Sequence, residues 1–304
     1  MDFLLYLLII ILAVTSTVKS CPPSDRAALL AFKVALKEPY LGIFNSWTGN
    51  NCCLNWYGVS CDPTTQTVAD INLRGESEDP IFEKAWTLGV YKDSLFLTLP
   101  IMELQEGSLR RSSTSPGLMH LDFSNNQLGG EIPSDFGKLS MLSRALLSRN
   151  QLTGSIPVSI SKIYRLADLD LSMNRISGCV PDQLGKMPVL STINLDSNSL
   201  SGQIPPTLLG SSGLGILNLS RNSIDGNIPN VFGPNTYFMV LDLSFNKLKG
   251  PIPGTLSKAK FIGHLDLSNN HLCGPIPIGS PFDHLEESSF INNDCLCGNP
   301  LRTC

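Results

Sequence analysis

The chain has 304 residues, of which 42% are apolar and 16% charged, and a formal net charge of −4. The apolar share is too high for a disordered chain, and the mild negative charge excludes a strongly basic nucleic-acid binder. Its 25 Gly and 21 Pro point to a turn-rich, repetitive architecture rather than an ordinary globular domain.

Phe3 to Val14 is an uncharged apolar run, and Val18 and Ser20 stand at −3 and −1 before Cys21, so residues 1–20 read as a signal peptide. The n-region departs from that pattern by carrying Asp2 and no Lys or Arg. The run is shorter than the ~20 residues a spanning helix needs, and no second apolar stretch follows. A secreted chain without a membrane span is the expectation, located in the extracellular space or the cell wall.

Residues 21–74 hold Cys21, Cys52, Cys53 and Cys61. Ser24 and Asp25 are placed to cap a helix whose Leu29, Phe32 and Leu36 share one face. Residues 75–117 follow no regular pattern.

From 118 to 277 the sequence is periodic. Asn recurs at 126, 150, 174, 198, 222, 246 and 270, Gly at 130 through 274, and Pro at 133 through 277, all in steps of 24 residues. Stretches such as Leu169-Asp170-Leu171 alternate as a half-buried strand does, leucines inward and Asp168, Asp170 and Ser172 outward. The Asn amide is suited to turn backbone, including that of the neighbouring coil. Gly suits a left-handed turn, and Ile-Pro predicts an extended, non-helical return segment. One coil cannot bury its own leucines, so seven coils must stack into a solenoid of ~30 Å. Cys273, Cys295, Cys297 and Cys304 close the chain over residues 278–304, and Cys179 is left over. Clustering of Cys at both ends suits disulfide-closed caps in an oxidising compartment.

The unit L-x-x-L-x-L-S-x-N-x-L-x-G-x-I-P resembles the plant-type extracellular leucine-rich repeat. That resemblance implies an α/β repeat fold: a right-handed, curved solenoid with a parallel sheet on its concave face and disulfide-bonded caps at both ends. Cys52-Cys53-x-x-Trp56-x-Gly58-Val59-x-Cys61 is similar to the N-terminal cap of such proteins, and Leu272-Cys273-Gly274 and Cys295-Leu296-Cys297-Gly298 to their C-terminal cap. The resemblance implies the pairs Cys21–Cys52, Cys53–Cys61, Cys273–Cys295 and Cys297–Cys304; sequence alone leaves the connectivity open. Leu73-Arg74-Gly75-Glu76, Met141-Leu142-Ser143-Arg144, Arg165 through Leu171 and Pro281 through Glu286 are similar to the DNA-damage-repair/toleration-type subfamily. In that subfamily further repeats fill the place of Trp86 to Gly117, which here resembles nothing in it. Leu97, Leu99 and Leu104 lie 24 residues before Leu121, Phe123 and Leu128, so a degenerate eighth coil competes with an irregular insertion or splicing artefact. The insertion is preferred, because that stretch lacks the Gly and Pro punctuation of a coil. Either way the N-terminal cap is expected to seat poorly on Leu118 and Leu121, with stability below that of longer relatives.

Ligand contacts are expected on the outward strand positions. One column reads His120, Arg144, Asp168, Thr192, Ile216, Val240 and His264; a second Asn125, Arg149, Met173, Ser197, Arg221, Phe245 and Asn269. His120, Arg144, Arg149, Asp168, Met173, Arg221, Phe245 and His264 are the candidate binding residues. A third column, Asp122, Leu146, Asp170, Asn194, Asn218, Asp242 and Asp266, reads as repeat consensus. Asn218-Leu219-Ser220 is the N-glycosylation sequon. No catalytic motif or zinc-ligand spacing stands out, so neither an enzyme, a metal site nor a cofactor is expected. The expected partner is an extracellular protein or a cell-wall glycan, with no nucleic acid. Resemblance to polygalacturonase-inhibiting proteins adds a cell-wall defence inhibitor as the alternative. A DNA-damage role fits poorly, since a secreted acidic chain has no basic groove.

Overall fold

The computed structural model describes residues 21–37, 42–74, 89–90 and 117–304. The expected signal peptide, and Leu97, Leu99 and Leu104 of the candidate eighth coil, lie outside the described residues.

The first element among the described residues is a helix, Pro23–Ala35. Pro at the first helical position is preorganised for it and lacks an N–H that would go unused. Ser24 and Asp25 therefore lie inside the first turn rather than capping it. Asp25 is buried, and its Oδ2 accepts the backbone N–H of Val68 at 3.0 Å, tying helix to sheet. Leu29 and Phe32 are buried as expected, but Leu36 falls past the helix end, in the short strand Leu36–Lys37 that pairs with Gly89–Val90. Trp47 stacks on Trp56 with centroids 5.2 Å apart, and Trp47 Nε1 donates to the carbonyl of Tyr57 at 2.9 Å.

Each of the seven coils then contributes a short strand to a sheet of nine. In spatial order its strands are Phe261–Asp266, Tyr237–Asp242, Ile216–Asn218, Thr192–Asn194, Asp168–Asp170, Arg144–Leu146, His120–Asp122, Val68–Asn72 and Val59–Cys61. All neighbours are parallel except the last pair, an antiparallel hairpin in the cap. A second parallel sheet of six runs from Ser177–Gly178 to Cys295–Cys297, and Gly129–Glu131 pairs separately with Gln151–Thr153. Leu121, Leu169, Leu217, Leu241 and Leu265 are fully buried in one continuous core.

The Asn ladder joins coil to coil. Asn174 Nδ2 donates to the carbonyl of Leu147 in the preceding coil at 3.0 Å and to Leu171 and Ser172 in its own. Its Oδ1 accepts the N–H of Leu152 at 2.9 Å. The same four bonds recur at Asn150, Asn198, Asn222, Asn246 and Asn270. Asn293 of the C-terminal cap extends the ladder off period: its Nδ2 reaches Leu267 O at 3.0 Å and its Oδ1 accepts Leu272 N at 2.9 Å.

Two expectations are corrected. The return segment is not extended throughout: 3-10 helices Val158–Lys162, Asp182–Lys186 and Gly254–Lys258 begin directly after Pro157, Pro181 and Pro253, which hold extended backbone. Proline has no N–H to donate, and the first helical N–H groups need no intrahelical acceptor, so a helix starts readily behind it. The N-terminal cap also seats fully. Val68–Asn72 pairs in register with His120–Asp122, Asp70 opposite His120 and Ile71 opposite Leu121. Asn126 Nδ2 donates to Leu73 O at 2.8 Å, as Asn150 does to Phe123. Phe32 of the cap helix stacks on Phe123 of the first coil at 5.2 Å, and Leu118 and Leu121 are wholly buried. Among the described residues no strand stands between Val68–Asn72 and His120–Asp122 in this sheet.

The four disulfides are Cys21–Cys52, Cys53–Cys61, Cys273–Cys295 and Cys297–Cys304. Cys179 is unbridged and exposed on the second sheet. Its Sγ would lie 2.8 Å from a Cβ at position 202, where the backbone φ is +77°, so a side chain in place of Gly202 would be strained and would displace the Cys179 thiol.

Candidate functional site

The outward face of the nine-stranded sheet is made of three columns with different physical jobs. The third is structural. Oδ1 of Asp170 accepts the N–H of Ser172 at 3.0 Å and its hydroxyl at 2.7 Å. Asp122 with Ser124, Asn218 with Ser220 and Asp242 with Ser244 repeat this turn. Asp or Asn serves equally, because only Oδ1 is used. Asn218 is half-buried in the middle of the sheet, so a glycan on its Nδ2 would stand on this face.

The first column is extended by the cap: Asp70 precedes His120. His120 Nδ1 lies 2.6 Å from Asp70 Oδ1, and Arg144 Nε lies 3.1 Å from Asp168 Oδ2. Four consecutive strands thus carry a His–Asp contact and an Arg–Asp ion pair, and Asp70, His120 and Arg144 line a groove of about 300 Å³ with Ser60, Asp122 and Leu146. Beyond Asp168 the column turns apolar through Thr192, Ile216 and Val240, ending at exposed His264.

The second column lies just past the strand ends rather than on them. Asn125, Arg149, Met173, Ser197, Arg221, Phe245 and Asn269 all have φ between 52° and 58°. The left-handed region costs an L-residue roughly 1–2 kcal/mol and is easiest for Gly or Asn. Asn125 and Asn269 suit it; Arg149, Met173, Arg221 and Phe245 do not. Arg221 lies over the Phe245 ring, 4.2 Å from its centroid.

Several residues on this face escaped the sequence reading. Asp70 belongs to the cap and carries no repeat signature. Asp196 stands where the other six coils have Ser, a departure visible in the sequence. Burial pushes its carboxyl above the ordinary range, a hydrogen bond from Ser197 opposes this, and the charges of Asp170 and Asp242 add to the rise. Tyr237, Met239 and Phe261 are exposed on strands that begin three residues earlier than their neighbours.

The sulfurs of Cys21, Cys52 and Cys53 converge closely enough to suggest a metal site. The first two are bonded to each other and the third to Cys61, so these sulfurs are not thiolate ligands.

Comparison with known proteins agrees with this architecture. The leucine-rich repeat N-terminal domain model matches residues 22–62, and the leucine-rich repeat model matches 117–139, 165–187, 189–211, 213–235, 238–259 and 262–281. The chain is 52% identical to the DNA damage-repair/toleration protein DRT100 of Arabidopsis thaliana over 90 residues, 29% of this chain and 24% of that protein. It is 39% identical to a polygalacturonase inhibitor of Vitis vinifera over 70 residues, 22% of this chain and 20% of the inhibitor. The chain therefore spans about a quarter or less of these relatives. Among solved structures, the PEPR1–AtPEP1 complex matches with a TM-score of 0.70 and 29% identity, over 86% of this chain and 33% of that one. A plant ice-binding protein matches with a TM-score of 0.63 and 26% identity, over 94% and 99% of the two chains. The chain belongs to the leucine-rich-repeat proteins of plant type: a cap domain followed by a stack of 24-residue repeats.

Proposed function

We propose that the chain is a secreted binding module that recognises an extracellular protein, or a cell-wall glycan, on the concave nine-stranded sheet and performs no catalysis. One observation carries this reading: along this face bulky side chains stand in left-handed backbone where the first and last coils hold Asn. Arg149, Met173, Arg221 and Phe245 occupy backbone that disfavours them, and Asp196 adds charge beside charge. Local rules broken without structural gain mark functional sites. The acids of the sheet are used in turns, accepting from Ser172 and Ser244, and in the Arg144–Asp168 ion pair. Four disulfides in the caps suit an oxidising, extracellular setting, and no helix among the described residues is long and apolar enough to cross a membrane. The match to PEPR1, solved together with AtPEP1, supports a peptide ligand.

A photo-crosslinking residue at Val240, on the sheet, and another at Val158, outside it, test the reading in cell-wall extract. Adducts formed at 240 and absent at 158 support it; adducts at 158 alone overturn it. The similarity to polygalacturonase inhibitors favours a second reading, inhibition of a fungal polygalacturonase. Full activity of that enzyme in the presence of micromolar protein removes it. Asn218 is the proposed glycan site, and loss of a mass shift in Asn218→Gln is the expected sign.

A further inference from the structure

The C-terminal half of the sheet is apolar along one edge and anionic through its middle. Tyr237 and Phe261 face each other across adjacent strands, their rings 5.2 Å apart and inclined by 23°. Met239 is 54% exposed beside them; Gly215 lies across the strand on one side, and on the other the Phe261 ring lies over Gly263. Ile216 and Val240 continue the apolar surface inward. Next along the strands come Asp242 and Asp266, with Asp196 set among the charges of Asp170 and Asp242. Of the basic groups on this half, Arg221 lies over the ring of Phe245, while His264, opposite Val240, and Lys260, next to Phe261, are exposed.

We propose that this half of the sheet docks an extended cationic segment of a protein ligand, with a bulky apolar side chain on Tyr237, Met239 and Phe261 and a Lys or Arg against Asp196, Asp242 and Asp266. The inference rests on the concave-face reading above and narrows it to one chemistry. Along one strand Met239 and Tyr237 stand three and five residues from Asp242, ~10–16 Å in extended backbone, so ligand anchor and cation are separated by the same number of residues. Aromatic and Met side chains supply the buried anchor surface, while complementary charge sets specificity and association rate.

The test uses the full chain made unglycosylated in a bacterial periplasm and titrated with fluorescein-labelled twelve-residue Gly/Ser peptides. One peptide carries Leu and, four residues on, two Arg; a second replaces both Arg by Glu. Anisotropy is expected to show at least tenfold tighter binding of the Arg peptide, weakening as salt rises. Asp242→Asn, Asp266→Asn and Asp196→Ser install residues that other coils hold at those places, so the fold is kept; together they are expected to cost the Arg peptide tenfold or more. Met239→Ser, matching Ser143 and Ser191, is expected to weaken both peptides. Equal binding of the Glu peptide, undiminished binding to the charge variants, or binding of neither peptide overturns the proposal. A crosslink at Val240 persisting in that last case leaves the concave-face reading intact.

Discussion

The two halves of the concave sheet share one frame and differ in what they do with charge. In the N-terminal half, Asp70 meets His120 and Arg144 meets Asp168. In the C-terminal half, Asp242 and Asp266 end the strands that begin with the exposed rings of Tyr237 and Phe261, and Asp196 lies among the charges of Asp170 and Asp242. Beneath both halves run the same buried leucines and the same Asn bonds. The frame therefore fixes where an outward side chain stands, and only the outward residues decide whether a region answers its own charges or leaves them for a partner.

The comparison can be broken first at the frame. Gly58 has φ +72°, and a Cβ there would lie 2.1 Å from the backbone oxygen of Asn72. Gly58→Ala is expected to cost about 3–4 kcal/mol from strain and overpacking. Hydrogen exchange is expected to rise in 120–146 more than in 237–266, because the cap seats on the former; equal loss in both would mean one indivisible frame. Next, Asn174→Ala and Asn246→Ala each delete four hydrogen bonds, and denaturant titration is expected to show about 2–3 kcal/mol for each. A large difference between them would refute a common frame.

Smaller effects sharpen the contrast at the face. Phe245→Asn places in the left-handed turn the residue that Asn125 and Asn269 already provide, and is expected to raise stability by about 0.5–1 kcal/mol in thermal melts. Asp196→Ser is expected to be stabilising near neutral pH. The folded-state pKa of Asp196 lies above its ordinary 3.8, so the folded protein binds the extra proton and loses stability as pH rises through that raised value. The advantage of the Ser variant should shrink as pH falls toward 3.8, which melts across a pH series would show. Finally, deleting residues 91–116 brings Ile71 and Leu121 from a spacing of 50 residues to the 24 of the other coils. The melting midpoint is expected to move by less than ~2 °C, under about 1 kcal/mol. A large rise would show that the insertion strains the cap after all.

The repeat, its core positions and the outward face of the sheet were legible because a 24-residue period with strand alternation permits one way of burying the leucines. The Asn column read correctly as a structural device for the same reason. What escaped lay off that period. Asp70 and Asn293 sit in the caps, where no repeat announces them. Tyr237 and Phe261 are 24 residues apart but precede the ordinary strand start, so the strand pattern of the other coils does not include them. Poor seating of the cap was expected from the broken pattern of 75–117, yet Leu73, Ile71 and Phe32 make the contacts of a coil without needing those residues. Arg149 and Phe245 were placed on the right side but on strands, since the turn that follows each strand shows only in its φ.

Hydroxyl-radical footprinting tests the central claim most directly, because Met, Tyr and Phe are the side chains it reads well. With the cationic peptide bound, oxidation of Tyr237, Met239 and Phe261 is expected to fall, while exposed Tyr164, outside the sheet, stays reactive. Protection of Tyr164 with those three unchanged would contradict the assignment of ligand recognition to this half of the concave sheet.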